Sequence, residues 1–472
     1  MSEAPSQSSL GAGTGPRLLL LNVAALSPWE LDESCPTLSG LAARGSMRPL
    51  VAPPPALTCS SHATMLTGLD PQEHGAIANG WYEATHGKVF NWGRSDRLIS
   101  GEKLWEAARR VRPELKSANL FWRYCTHSTC DITLTERPTY FADGRKGADV
   151  YCSDQGFKER LISELGPFPF FHFWGPKAQL ASTQWIVDSA RKLLREETPE
   201  LLLCYAPGLD YEGQRFGPHS PEARETLRAA DAVFKPLIEE AIAMGWEIAI
   251  VSDYGFTEVN RPVALNLTLR RAGFLAVDRA VNGELLEPGA SRAFAVCDNQ
   301  AAHVYVSDPQ DVEKVAALLM ETEGVRTVYR EGEQPCLGHS RAGQLLAVAE
   351  PNAWFTYRYW LDEEAAPDFS RCVDIFNKPG FDPCELFLRG GLSGGIHMAR
   401  RFAQLKLGIR APFDVIDAKP ERLRGARNIL PERPEDGAVL ITSWPQEEQA
   451  PLPMRGLKEL LLRRLTATPG AT

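Results

Sequence analysis

Four short apolar runs constrain the fold of this chain more than any other feature. They lie at 18–23, 117–122, 201–206 and 247–253 and are largely apolar throughout. Uninterrupted runs of this length are typical of parallel strands that are buried on both faces of a sheet. Helical patterning separates them, and the stretch 221–245, for example, has apolar residues at helical spacing. The succession of strands and helices predicts a right-handed, mostly parallel α/β sheet flanked by helices.

Two regions differ from this pattern and are predicted to be inserted cap segments. Residues 80–180 are rich in aromatic residues and turns, and 290–350 contain a smaller βαβ-like unit. We therefore predict one α/β domain over 14–445. A Pro-rich linker and a basic amphipathic helix, RGLKELLLRRL, follow at 446–472. That helix is expected to pack on its own domain, with binding to a membrane or a partner protein as the alternative.

Charge and apolar patterning exclude several classes of function. The 472 residues carry a net charge of -9, and no block of Lys and Arg could follow a phosphate backbone. A nucleic-acid polymer is therefore not expected as a partner. The apolar run that begins at Leu18 is too short for a membrane span, and no signal-peptide layout is present. The sequence thus predicts a cytoplasmic protein.

The cysteine pattern favours reduced thiols over disulfides. The chain has 10 cysteines and no CxxC pair. Cys125, His127 and Cys130 come closest to a metal pattern, but their spacing matches no common zinc site. We expect neither a disulfide framework nor a zinc knuckle.

Polar residues follow the predicted strands where ligands bind in parallel sheets. Asp210 follows the third apolar run, and Asp253 ends the fourth. Thr58 precedes a helix-like segment for which Ser60 or Ser61 is the expected N-cap. A helix N-terminus there would favour a phosphate oxygen beside Thr58, with an ordinary Ser/Thr turn as the alternative. Because ligands bind beyond the carboxyl ends of parallel strands, we expect these side chains to share one crevice.

The motifs around these residues resemble those of the type I phosphodiesterase and nucleotide pyrophosphatase branch of the alkaline phosphatase superfamily. The similar segments are CPTLSGLAARG (35–45), PPALTCSSH (54–62), TGLDPQEHG (67–75) with Asn79, LDYEGQRFGP (209–218) and VSDYGF (251–256). Their order and spacing follow the family pattern from about residue 17 to residue 260, and more loosely to about 443. The resemblance implies an alkaline-phosphatase-like α/β fold.

The resemblance also implies roles for individual residues. Thr58 corresponds to the nucleophile, Asn79 to the group that holds a nonbridging phosphate oxygen, and Asp210 and Asp253 to metal ligands. In this family two zinc ions activate the threonine and neutralise charge on the phosphoryl group. A bound metal is suited to this task because it lowers the pKa of a coordinated oxygen and stabilises the attacking and leaving oxygens together.

Four positions depart from the family's set of zinc ligands. The strand-end aspartate falls at Ala24, and three histidines fall at Gln214, Tyr254 and Arg427. Alanine cannot bind a metal, and Gln, Tyr and Arg are poor zinc ligands, so a zinc pair is not expected. Gln214, Tyr254 and Arg427 are instead predicted to bind the ligand. The carboxylates that remain could hold one divalent ion, Mg²⁺, Ca²⁺ or Zn²⁺, weakly.

Three functions remain open at this point. The first is a phosphoester or phosphodiester hydrolase in which Thr58 attacks phosphorus and Asn79 binds the developing charge. The second is a non-catalytic relative that binds a phosphorylated small molecule, held by the Arg427 guanidinium, or a partner protein. The third is an enzyme of another reaction that uses Tyr254 as an acid or base.

Two further segments are interpreted without a catalytic role. The stretch 390–401, GGLSGGIHMARR, lacks the preceding strand and the Lys-Ser pair of a phosphate-binding loop and is predicted to be a flexible loop. The aromatic segment 170–176, together with Trp81 and Trp122, is a candidate pocket wall, with ordinary core packing as the alternative.

Overall fold

The computed structural model describes residues 15–142, 146–409, 411–427 and 429–467. Its strands, in chain order, are β1 (Leu18–Val23), β2 (Ser46–Val51), β3 (Gly80–Glu83), β4 (Lys88–Asn91), β5 (Ser117–Leu120), β6 (Ile132–Glu136), β7 (Thr139–Tyr140), β8 (Lys146–Gly147), β9 (Val150–Cys152), β10 (Leu201–Ala206), β11 (Glu247–Val251), β12 (Phe256–Glu258), β13 (Arg261–Val263), β14 (Val277–Ala280), β15 (Gly283–Leu286), β16 (Ala293–Asp298), β17 (Ala301–Val306), β18 (Val325–Arg330), β19 (Leu345–Ala349), β20 (Ala353–Phe355), β21 (Gly425–Arg427), β22 (Ala438–Thr442) and β23 (Leu452–Pro453). Its helices are α1 (Pro36–Arg44), α2 (Thr58–Thr67), α3 (Pro71–His74), α4 (Leu104–Val111), α5 (Gln155–Leu165), α6 (Leu180–Glu196), α7 (Gly208–Phe216), α8 (Pro221–Ala243), α9 (Leu265–Arg271), α10 (Val312–Met320), α11 (Gly391–Lys406) and α12 (Leu457–Thr466).

A large, mostly parallel sheet forms the centre of the molecule. Within the described residues it has nine strands in the order β23-β2-β22-β11-β1-β10-β5-β6-β9. β1 pairs in parallel with β10 and β11, and β5 pairs in parallel with β10 and β6. Every residue of β1 and β10 is buried, as expected for strands that are covered on both faces. The four apolar runs are therefore neighbouring strands, and the predicted α/β fold class is confirmed.

The helix α8 shows how the sequence pattern produces the packing. Ser220 caps it by accepting a hydrogen bond from the Ala223 backbone N–H at 3.1 Å, and Pro221 stands at its first position. Its apolar face joins the core that surrounds the main sheet. Asp231 on this helix accepts hydrogen bonds from the first turn of α1, from the backbone N–H groups of Thr37 and Leu38. That contact fixes α1 against α8.

A second sheet comes from the predicted insertion at 290–350. Its order is β16-β17-β19-β18, and all of its pairs are antiparallel. β17, α10 and β18 correspond to the βαβ-like unit that the sequence indicates, but β19 lies between the two strands. This sheet has its own hydrophobic core.

Two sequence predictions differ from the structure. The segment 80–180 is not only a cap, because it supplies β5, β6 and β9 to the main sheet. Residues 391–406 form the helix α11 rather than a flexible loop.

The C-terminal helix α12 buries Leu457, Leu461 and Leu465 in the main core. Within the described parts of the chain, no helix combines the length and apolar character needed to cross a membrane.

Candidate functional site

The turns that leave the carboxyl ends of β10 and β11, together with the start of α2, bring the predicted residues into one region. Asp210 lies in the first turn of α7 directly after β10, and Asp253 follows β11. Thr58 is the first residue of α2, so this helix begins earlier than the expected Ser60 or Ser61 cap, and its N-cap position is Leu57. The α2 residue Ser61 donates a hydrogen bond to the Asp253 carbonyl at 2.8 Å. That bond ties the helix to the end of β11.

Thr58 and Asn79 lie together at the start of α2. The Thr58 side chain is buried, and its Oγ1 forms no hydrogen bond within the described residues. The Asn79 Oδ1 accepts a hydrogen bond from the Cys59 backbone N–H at 2.9 Å, which anchors the amide to the start of α2. The Asn79 side chain also lies beside Asp298, where burial raises the pKa of the carboxyl group and Asn79 opposes that rise. A buried hydroxyl without a partner, such as that of Thr58, is a candidate contact for a ligand or water.

Asp210 is surrounded by hydrogen-bond donors. Its Oδ2 accepts a hydrogen bond from the Gln214 Nε2 at 2.5 Å, and its Oδ1 accepts one from the Tyr254 hydroxyl at 2.7 Å. The Arg427 Nη2 lies 3.5 Å from the same Oδ1. Burial raises the pKa of Asp210, and Arg427 and the Tyr254 hydrogen bond oppose that rise. Gln214 and Tyr254, which the sequence predicts to stand at metal-ligand positions of the family, thus hold this carboxylate.

Arg427 lies between two buried carboxylates. The pairing of β21 with β12 places Arg427 opposite Phe256, two residues after Tyr254. Its Nη1 lies 3.8 Å from the Asp298 Oδ1. Burial alone would lower the pKa of Arg427, but Tyr254 and the two carboxylates raise it, so the guanidinium stays charged. Its Nε and Nη1 have no hydrogen-bond partner among the described residues.

Aromatic rings cover the guanidinium of Arg427. Its central carbon lies 4.8 Å from the ring centroids of both Tyr254 and Phe381, and 5.6 Å from that of Trp92. The Trp92 ring also lies 5.4 Å from the guanidinium carbon of Arg123. One indole therefore contacts two cations, an arrangement that stabilises charge away from water.

Asp253 faces a buried histidine. Its Oδ2 lies 3.5 Å from the His62 Nε2, and its Oδ1 accepts a weak hydrogen bond from the Ala25 N–H at 3.4 Å. The His62 Nδ1 accepts a hydrogen bond from the Arg123 backbone N–H at 3.1 Å, and its Nε2 lies 2.7 Å from the Asn22 side-chain amide. Burial lowers the pKa of His62, and Asp253 opposes that change. His62 thus has a structural role, since both of its ring nitrogens contact buried groups.

Sequence reasoning missed Asp298, Trp92 and Phe381. Asp298 ends β16 in the second sheet, and the other two residues lie in loops whose local sequence carries no catalytic motif. Asp298 is 5% exposed, and burial raises its pKa while Arg427 opposes the rise. The Asp298-Asn299 pair between two apolar runs is a turn signal that the sequence does offer, and the structure has a turn there, with Asn299 at a positive φ of 53°.

The two tryptophans and the two cysteines that the sequence singles out are part of the packed interior. Trp81 and Trp122 belong to different hydrophobic clusters. Cys125 and Cys130 are buried, and burial raises the pKa of each thiol to about 12. A pocket wall built from the aromatic residues and the expected absence of zinc at the cysteines both stay predictions.

The residues present do not fit a zinc pair. Ala24 offers no ligand, and the two oxygens of Asp210 already accept hydrogen bonds from Gln214 and Tyr254. Across the described ranges, no three His, Cys, Asp or Glu side chains come together in a way that could hold a metal ion. The same donor set gives no geometric support to the predicted single divalent ion at Asp210 and Asp253.

A comparison with protein-family models identifies the relatives of this chain. The model described as type I phosphodiesterase / nucleotide pyrophosphatase matches residues 18–382, most of the chain. The chain belongs to this phosphodiesterase family. The match includes Thr58, Asn79, Asp210 and Asp253 and ends before Arg427. The correspondence of Arg427 to the family's last histidine therefore stays a prediction.

Curated proteins that are similar to this chain carry names from the same family. An uncharacterized pyrophosphatase/phosphodiesterase of Schizosaccharomyces pombe is 28% identical over 249 residues, which cover 49% of this chain and 43% of that protein. Human ectonucleotide pyrophosphatase/phosphodiesterase family member 1 is 24% identical over 221 residues, which cover 45% of this chain and 20% of that protein. The matched part spans less than half the length of these relatives.

Solved structures share the fold of this chain over nearly its whole length. Phosphonoacetate hydrolase from Sinorhizobium meliloti 1021, in complex with phosphonoformate, has a TM-score of 0.60 and 14% identity, with 96% of each chain covered. An inactive form of murine ectonucleotide pyrophosphatase/phosphodiesterase 5, in complex with AMP, has a TM-score of 0.58 and 13% identity, again over 96% of each chain. Likeness at this identity shows the fold alone.

Metal analysis tests directly whether the candidate site holds zinc. We expect fewer than about 0.2 zinc ions per chain after dialysis against zinc, because a site with fewer than three good ligands does not retain the ion. We also expect the melting temperature to stay the same when a chelator is added, whereas a structural metal would lower it on removal. About two retained zinc ions per chain would contradict this expectation.

Proposed function

We propose that this protein binds a phosphate ester at the start of α2 and holds it without zinc. The observation that carries the proposal is a set of buried hydrogen-bond donors. The Thr58 Oγ1 and the Arg427 Nε have no hydrogen-bond partner in the described chain, and the Asn79 Nδ2 and the Arg427 Nη1 lie beside Asp298 without a full hydrogen bond. Buried donors that stay unpaired are costly, and a phosphate group, with its several acceptor oxygens, satisfies them together.

Two groups would attract an anion at this point, although Asp210 and Asp298 already balance part of the positive charge. Thr58 begins a helix of 10 residues, whose N-terminus carries partial positive charge. Arg427 is fully charged, and a guanidinium can donate two parallel hydrogen bonds to phosphate. Cys59, the residue after Thr58, lies close enough to Arg427 for that cation to lower its thiol pKa against the effect of burial. The helix start and the arginine thus belong to one electrostatic environment.

Family membership supports a phosphorylated ligand over other anions. The family is named for phosphodiesterase and pyrophosphatase activity. The neighbours of known structure hold AMP in one case and phosphonoformate in another. A small molecule with a terminal phosphate or phosphonate is therefore the ligand class that we propose for this chain. Protein partners and a cytoplasmic location stay predictions.

Turnover through Thr58 is the second candidate function. The free Thr58 hydroxyl at a helix start favours it, because nothing in the described chain competes for the nucleophile. Against it stands the lack of an activating group: a hydroxyl with a pKa far above 7 is a poor nucleophile without a base or a metal. Tyr254 does not supply that base, because burial raises its pKa well above the usual value and its hydroxyl donates to Asp210. We therefore place binding before hydrolysis.

Calorimetric titration with AMP and with inorganic phosphate tests binding. We expect both to bind and adenosine, which lacks the phosphate, not to bind. Asn79→Ala should weaken AMP binding by about tenfold or more, because it removes a buried donor to the phosphate. The exposed Asn352→Ala is the matched control and should bind normally. Failure of both AMP and phosphate to bind would remove the proposal.

A nitrophenyl phosphodiester distinguishes binding from hydrolysis. We expect no release of nitrophenol above the rate in buffer, with or without added zinc. Turnover that is lost in Thr58→Ala and retained in Asn352→Ala would replace binding by hydrolysis as the function of the site.

A further inference from the structure

The helix α11 is attached to the protein by its polar side. The His397 Nε2 donates a hydrogen bond to the Asp414 Oδ1 at 2.9 Å. Arg401, one turn further along, donates from Nε and Nη2 to the two oxygens of Asp414 at 2.7 and 3.0 Å. One aspartate beyond the helix thus accepts from both residues of its inner face.

The opposite side of α11 is apolar and faces solvent. Leu392 is 83% exposed, Ile396 63% and Phe402 47%, and Leu407, directly after the helix, is 75% exposed. The spacing of Leu392, Ile396 and Leu407 places them on one side of an α-helix. A surface helix normally turns its apolar side toward the core, so the orientation of α11 is reversed. An exposed apolar surface of this kind marks an interaction site.

The chain segments that lead into and out of this helix are joined to each other, and the Ile416 N–H donates to the Arg371 carbonyl at 3.2 Å. Leu388 and Ile416 form an antiparallel bridge, and the Arg389 N–H donates to the Val415 carbonyl at 2.9 Å. The Asp417 N–H donates to the Phe387 carbonyl at 2.7 Å. The segments before and after α11 therefore lie side by side. Their hydrogen bonds hold the helix at the surface.

The charge of this segment is opposite to that of the whole chain. Residues 386–413 contain five Arg and Lys residues and no Asp or Glu, in a chain with a net charge of -9. Arg400 and Lys406 border the apolar face, and within the described residues neither forms an ion pair. Two copies of this face would repel one another, whereas an anionic surface would attract it.

We propose that α11 lies on an anionic lipid surface. Leu392, Ile396 and Phe402 would enter the boundary between headgroups and acyl chains, with Arg400 and Lys406 at the level of the headgroups. A single protruding helix with a convex apolar face suits a bilayer, which adapts to it, better than a protein, which would need a matching groove. The proposal does not depend on the ligand or on turnover at Thr58.

Co-sedimentation of the full chain with vesicles tests the proposal. We expect binding to vesicles of phosphatidylcholine with about one third phosphatidylserine to exceed binding to pure phosphatidylcholine by about tenfold or more. The variant L392S/I396S should bind the anionic vesicles at least about tenfold more weakly, because it removes two side chains that the interface buries. The variant R400E/K406E should lose the preference for anionic vesicles.

Ile242→Ser is the matched control, since Ile242 is an apolar residue on α8 that is 45% exposed, and it should bind like the unaltered chain. Slower hydrogen exchange in 391–406 when vesicles are added would place the contact on α11. Absence of vesicle binding, or equal binding by L392S/I396S, would overturn the proposal. Dimerisation in sedimentation velocity that disappears in L392S/I396S, without vesicle binding, would assign the face to a second copy and overturn it equally.

Discussion

Arg427→Met is expected to lower the free energy of unfolding by about 3–5 kcal/mol at neutral pH, because it leaves two buried carboxylates without their cation. Asp210 and Asp298 both lie within 4 Å of this guanidinium, at 3.5 and 3.8 Å. Urea denaturation followed by tryptophan fluorescence measures the loss. Arg48→Met is the matched control: Arg48 is also buried, but its carboxylate partner Glu448 is exposed, so its removal should cost much less.

The loss in free energy of unfolding caused by Arg427→Met should depend on pH, and the pKa shifts of Asp210 and Asp298 give its direction. Burial raises the pKa of Asp210 and of Asp298 in the folded protein. A carboxyl group whose folded pKa lies above its unfolded pKa favours folding below the unfolded value, and that contribution is lost as the pH rises through the folded pKa. Loss of the arginine raises both folded pKa values further. The destabilisation should therefore be largest at neutral pH and should shrink as the pH falls toward 4, about the ordinary pKa of an aspartate.

A second substitution separates charge from packing at the same place. Adding Asp298→Asn to Arg427→Met should recover part of the lost stability, since it removes one uncompensated charge and keeps the shape of the side chain. Equal stability of the single and double variants, or a loss that does not change with pH, would show that Arg427 contributes by packing and not by charge.

Glu136→Ala is expected to have the second large effect, also about 3–5 kcal/mol of unfolding free energy, because it leaves a buried guanidinium unpaired. The Glu136 Oε1 accepts from the Arg123 Nη1 at 3.0 Å and from the Arg94 Nε at 3.2 Å. Arg123 also holds the His62 ring through its backbone and contacts Trp92. The substitution should therefore loosen the aromatic cover of Arg427 as well as destabilise the fold.

The pH dependence of the Glu136 contribution has the opposite sign. Burial alone would raise the pKa of Glu136, but Arg123 and Arg94 overcome that effect and lower it from 4.5 to about 2. A carboxyl group with a lowered folded pKa stabilises the protein above its unfolded pKa, and the contribution is lost as the pH falls through the folded value. Glu136→Gln should thus be less stable than the unaltered chain at pH 7, and the difference should fade between about pH 4.5 and pH 2.

Glu225→Gln is the matched control for Glu136, because Glu225 pairs with Arg228 on the exposed surface of α8. An exposed pair contributes little, so this variant should unfold like the unaltered chain at every pH. If the Glu136 and Glu225 variants behaved alike, the buried ion pair would have no net effect on stability.

The sheet could be predicted because its signal is local. The runs at 18–23 and 201–206 are apolar over their full length, and they form β1 and β10, which are buried on both faces. The helix α11 could not be predicted because its own glycines indicate a loop. The contacts that fix the helix come from Asp414 and from the Leu388–Ile416 bridge, which lie outside its sequence.

The sequence by itself determined the parallel sheet, the order of its strands along the chain and the position of Thr58 at a helix that begins near strand ends. The tertiary structure alone decided that Arg427 neutralises Asp210 and Asp298, that Gln214 and Tyr254 occupy the oxygens a metal would use, and that α11 turns its apolar side outward. The physical reason is range. Burial patterns reflect the few residues on either side, whereas charge pairing depends on distances between residues that are 129 to 217 positions apart, and only the folded chain sets those distances.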